Sequence, residues 1–167
     1  MSFSVEDGTG KSDATSYVSV ADADTYHTSH GDPAAWSGAT TAVKQAALMA
    51  ATVYMDATFS WLGAISEDGQ ALGWPRDGVV DREGREIDSD IVPQKVQDAC
   101  AYLALQHINS ALDATFARGD DIKRQKVGPL EIEYADFARP GTWIPYAKNI
   151  VGDLIHNVAG RVILSRA

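Results

Sequence analysis

The sequence predicts a mainly α-helical fold: a bundle of about four helices with one protruding β-hairpin and an extended N-terminal arm. Three observations predict it. Three segments place apolar residues three or four apart behind a residue suited to open a helix, Thr40 or Thr41, Pro93 and Pro145, and a capping box at Ser19 opens a fourth, short helix. One stretch, residues 130–134, alternates Leu130, Ile132 and Tyr134 with Glu131 and Glu133, the period of a half-buried strand. The first 18 residues are rich in Gly, Ser, Asp and Thr and show no apolar period before Tyr17 and Val18.

The chain has 167 residues, enough for one core, with 45% hydrophobic and 22% charged residues, the balance of a folded chain. The division expected is an arm over 1–18 and a single helical domain over 19–167, its hairpin at about 122–135. In the first helix Ser19 caps and Asp22 closes a capping box; the helix ends near Ser29, before Gly31, Asp32 and Pro33. The second puts Val43, Ala47, Ala50, Tyr54, Ala57 and Trp61 on one face and stops near Phe59, ahead of Gly63. Residues 63–90 hold five glycines and read as a long structured loop, with a short hairpin turning at 82–84.

Pro93 suits the first turn of a third helix, which runs to about Arg118. It has one stripe of Val96, Ala99, Leu103 and His107 and another of Ala101, Leu105, Ile108, Leu112 and Phe116, a surface wide enough for the central helix. Gly128-Pro129 joins the strands 122–127 and 130–134. The last helix opens at Pro145 with Ile150 or Val151, Leu154, Ile155, Val158 and Val162 as its stripe.

Residues 7–13, DGTGKSD, contain the end of a phosphate-binding loop. Such a loop needs a glycine five residues before Gly10, between a buried strand and a helix. Val5 stands at that position, too little chain precedes it for a core strand, and DATSYVSV follows, so the stretch reads as a flexible glycine-rich arm. His27 and His30 lie on a polar helix face, and no His/Cys cluster has metal-ligand spacing. Paired carboxylates are plentiful but none sits in an apolar setting that would tune it for acid-base work, and no nucleophile elbow or activated cysteine is present, so no enzyme activity, metal or cofactor is expected. Cys100, the single cysteine, belongs to core packing and suits a reducing compartment. No apolar run approaches the roughly 20 residues of a membrane span, and the N-terminus lacks a signal core. The expectation is a protein that stays where it is made, away from membranes.

With 14 Lys+Arg against 23 Asp+Glu, the net charge is -9, and the mean field repels phosphates. Residues 118–126, RGDDIKRQK, are the local exception: Arg118, Lys123, Arg124 and Lys126 form either a solvated turn or a contact with DNA or an acidic partner. Trp74-Pro75-Arg76 is either a loop anchored on the core or an anchor at a subunit contact.

Several stretches together resemble one family: VEDGTGKSDATSYVSVADADTYH at 5–27, the helix QAALMAATVYMD, ALGWPRDGV at 71–79, IVPQKVQDACAYLAL at 91–105 and KVGPLEIEYA at 126–135. Their order and spacing look like the tailed-bacteriophage proteins labelled DnaT-like single-stranded-DNA-binding proteins, a group similar in organisation to head-tail connector, or neck adaptor, proteins. The resemblance covers residues 5 to about 135 and implies a helical bundle with a protruding hairpin and no catalytic residue.

The connector side of it implies a structural virion protein at the neck, assembled in the host cytoplasm and serving genome packaging and ejection. Its partners would be copies of itself in a ring, usually a dodecamer, the portal protein, and a tail, tail-terminator or nozzle protein. Genomic DNA would pass through without sequence-specific binding. Trp74, Pro75, Arg76, Lys126, Val127, Gly128, Pro129, Leu130, Trp143 and Tyr146 are then the candidate contacts, and Arg118, Lys123, Arg124 and Lys126 the DNA-facing cluster. The alternative is a single-stranded-DNA-binding replication accessory. Such binding uses a basic groove with interleaved aromatics, whereas here Phe116 and Tyr134 fit apolar stripes, so the charge balance favours the connector.

Overall fold

The computed structural model describes residues 2–112, 124–127, 130–133 and 145–156. Among these lie five helices, α1 (Val20–Ser29), α2 (Ala34–Ser37), α3 (Thr41–Thr58), α4 (Gln94–Asn109) and α5 (Pro145–Ile150). Two antiparallel two-stranded sheets accompany them, β1 (Ala64–Ile65) with β2 (Arg76–Asp77) and β3 (Arg124–Val127) with β4 (Leu130–Glu133). The mainly helical class with a hairpin is as the sequence predicts.

Local chemistry sets the helix starts. The Ser19 hydroxyl accepts the Asp22 amide at 3.1 Å and donates to the Asp22 carboxylate at 2.6 Å, a cap adjusted to a side chain shorter than Glu. Thr40 caps α3 through the Val43 amide, and Pro93 stands immediately before α4. α4 is the central helix, packed against α1, α2, α3 and α5, and buries Val96, Ala99, Cys100, Ala101, Leu103 and Ala104. Burial pushes the Cys100 thiol up to about 11, as for an inert core residue.

Several expectations are corrected. Residues 2–18 are not an extended arm. The Glu6 amide donates to the Ser16 carbonyl, and the Thr15 and Ser16 amides donate to the Ser4 carbonyl, closing the segment on itself, and Ala14, Tyr17 and Val18 are buried. The Tyr17 hydroxyl donates to Asp56 on α3, which fastens the segment to the bundle. The buried face of α3 is Ala47, Leu48, Ala51, Thr52 and Met55, rotated from the expected one; Val43 and Ala57 are exposed. Lys44 and Asp56 are the only charges on this alanine-rich helix, so its pattern hardly distinguishes the faces.

α4 ends at Asn109, short of Arg118, where Ser110 takes an extended conformation. α5 ends at Ile150, and turns follow over 151–153, so the long last helix is not formed as one piece; Val158 and Val162 lie outside the described residues. Val151, Leu154 and Ile155 are nevertheless buried, and residues 154–156 pair with 60–62 through Leu62 to Leu154 and His156 to Ser60 hydrogen bonds. The loop over 63–90 contains the β1–β2 pair and a turn at 82–84 closed by Asp81 and Arg85.

Candidate nucleic-acid interface

The GTGK turn is a nest of backbone amides, and an anion is already in it. One carboxylate oxygen of the buried Glu6 accepts the amides of Gly8 at 2.9 Å and Gly10 at 3.0 Å, and the other accepts that of Lys11 at 2.8 Å. Gly8, at φ +100°, lies so close to the Asp90 carbonyl that a Cβ would stand 1.9 Å from its oxygen. Lys11, which would reach a phosphate in a true loop of this kind, instead pairs with Asp7 and donates to the Val5 carbonyl. Its proximity holds the exposed Asp7 carboxyl down at about 2. The stretch is neither a nucleotide cradle nor a loose arm.

The WPR loop is an internal anchor. Trp74 is fully buried, Pro75 is buried beside it, and the Trp74 ring meets Trp61 edge-on, so Trp74 has no surface left for a neighbouring subunit. Arg76 donates to three backbone carbonyls, of Leu62, Gly73 and Gly63, and so ties the loop together. Asp56 completes the knot by accepting from Tyr17, Trp61 and the Gly73 amide.

His27 is not on a polar face. Its ring is buried against Trp36, and Nε2 lies 3.1 Å from the Ala101 carbonyl. Burial lowers its pKa, which favours the neutral ring. Sequence reasoning missed Trp36, whose indole donates to Asp24 while Lys44 pairs with the same carboxylate and lies over the ring. Among the described residues no group of three or more His, Cys, Asp or Glu is arranged to hold a metal.

Most cations of the helical body are committed: Lys11 to Asp7, Lys44 to Asp24, Arg76 to carbonyls, Arg85 to Asp81 and Lys95 to Asp153. The hairpin pairs β3 with β4. Its register sets Arg124 opposite Glu133 and Lys126 opposite Glu131, with Gln125 opposite Ile132 and Val127 opposite Leu130. Directly opposed positions share a face, so one face of this ribbon carries two cationic and two acidic positions and the other is largely apolar. Of the other sequence-predicted contacts, Arg118, Lys123, Gly128, Pro129 and Trp143 lie outside the described residues. The structure places Trp74 and Pro75 of the WPR loop in the core.

It does bring together an aromatic group that the sequence reading did not assemble. Tyr146 of α5 and Tyr102 of α4 have ring centroids 4.7 Å apart, and Tyr26 of α1 is stacked on His30 at 4.1 Å. Burial, with Tyr146, Asp98 and Tyr102 nearby, pushes the Tyr26 hydroxyl up to about 12. The i, i+4 spacings Tyr26/His30 and Asp98/Tyr102 were the available signal.

No curated protein and no solved structure matches the chain. Residues 1–167 match the family described as "Putative DnaT-like ssDNA binding protein". The match runs through the C-terminal segment, which the resemblance had left uncovered. It also corrects the connector reading: the family found is the single-stranded-DNA-binding one, and nothing supports a head-tail connector family, a virion position, a ring, or portal and tail partners. Over its whole length, the chain belongs to the DnaT-like single-stranded-DNA-binding protein family.

Proposed function

We propose that the protein binds single-stranded DNA as a replication accessory, using its C-terminal third. The observation that carries this is the family match across the whole chain. The charge distribution supports the location. Residues 1–112 hold six Lys and Arg against sixteen Asp and Glu, a net charge of -10. Residues 113–167 hold eight against seven, a net charge of +1. The overall -9, which in the sequence reading spoke against DNA, is thus carried by the first two thirds. The C-terminal third is thus the part of the sequence whose charge opposes a polyanion least.

The test is fluorescence anisotropy of a labelled oligothymidine and of a duplex of equal length between about 50 and 200 mM salt. Single strands are expected to bind more tightly than the duplex, and the affinity to fall as salt rises. No binding of the single strand at the lower salt, or equal binding of the two forms, would overturn the proposal.

A further inference from the structure

Tyr146 is the one Phe, Tyr or Trp among the described residues that is classed as exposed, at 52% of its surface. Its helix lies in the segment that carries the cation surplus, and its ring leans on Tyr102 with an interplanar angle of 60°. Tyr26, close enough to this pair to interact with it electrostatically, lines a groove of about 360 Å³ between α1 and the first turns of α4, with Asp22, His30, Gln94, Gln97 and Asp98. Tyr26 and His30 form one aromatic wall there, stacked with an interplanar angle of 22°.

The chemistry of this face sorts one part of a nucleotide from another. Asp22 and Asp98 repel a phosphate, yet accept hydrogen bonds from the amino groups and ring N–H of bases, and the amides of Gln94 and Gln97 can both donate and accept. Open tyrosine rings offer the flat apolar surface that bases stack on without regard to sequence.

We infer that the α1, α4 and α5 face is a base-stacking platform for single-stranded DNA, with Tyr146 and Tyr102 as the stacking surface and the α1–α4 groove receiving an adjoining base. The inference rests on the DNA-binding reading above and adds the part of the ligand that is held at this face, its bases.

The experiment compares wild type, Tyr146→Ala and Tyr146→Phe on an oligothymidine and on an abasic oligomer of the same length, across a salt series. Circular dichroism confirms that the variants are folded. Tyr146→Ala is expected to bind oligothymidine about tenfold more weakly with an unchanged salt slope, since stacking releases no counterions. Tyr146→Phe should stay near wild type, and the abasic oligomer should not distinguish the three proteins. As a readout independent of folding, 5-iodouracil placed in the oligomer should photocrosslink to Tyr146 or Tyr102 in the wild type. If wild type binds oligothymidine but Tyr146→Ala binds it equally well, or crosslinks map only elsewhere, the platform is wrong and the DNA-binding reading stands. If wild type binds no single strand, both fall.

Discussion

In residues 1–112 the cations are outnumbered by sixteen carboxylates to six, and those at Lys11, Lys44, Arg76, Arg85 and Lys95 hold the body together through named acceptors. In residues 113–167 the two signs are nearly equal, and within the hairpin cations stand opposite carboxylates in register. The difference teaches that the net charge of this chain describes neither of its segments. A cation already neutralised within the body contributes to stability, whereas the surplus that a polyanion meets is set segment by segment.

Substitutions can break or sharpen that comparison. The largest expected effect is Trp74→Ala, which empties a fully buried site and should cost about 3–5 kcal/mol in denaturant unfolding while leaving the DNA affinity of the folded fraction unchanged. Glu6→Ala comes next. It leaves three amides of the turn without their acceptor and should cost roughly 1–3 kcal/mol, read by the same unfolding assay.

In the other region the effect moves to binding. Neutralising Lys123, Arg124 and Lys126 to Gln should weaken oligothymidine binding about tenfold or more at low salt and lower the salt slope by about 2, with little change in stability. The opposite change, Glu131→Gln with Glu133→Gln, removes the two acidic positions across from Lys126 and Arg124 and should tighten binding by a few fold. A loss of binding in Trp74→Ala with the fold intact, or a loss of stability in the triple cation variant, would erase the distinction between the regions.

The smallest effect is a pH dependence within the body. His27 has a folded pKa below its ordinary value, so the unfolded chain takes up a proton first as the pH falls. Its contribution is present above about pH 6.5 and is lost as the pH drops toward the folded value. The urea midpoint should decline between about pH 7 and 5, and the decline should flatten in His27→Gln.

Much of the helical body was legible in sequence because the signals there are local. Ser19, Thr40 and Pro93 mark starts through chemistry confined to one turn, and the hairpin announced itself through alternation in residues 130–134. The buried face of α3 was not legible, since its face is chosen by what packs against it and alanine pays little for either side. His27 and Trp36 were hidden for a related reason: their burial depends on Asp24, Lys44 and the Ala101 carbonyl, which come from three helices. The aromatic platform combines residues from α1, α4 and α5, separated by some 120 positions between Tyr26 and Tyr146, and no spacing rule spans such a distance.

The Glu6 carboxylate in the GTGK turn has a consequence for the chain among nucleotides. A group tethered two residues before the turn competes as an internal ligand, at an effective concentration of at least the millimolar order, and it needs no encounter to return after leaving. A free phosphate group would have to displace a resident that is always at hand. The turn is in this sense pre-saturated, and so phosphate-like a string has its anion-binding amides already filled by the chain itself.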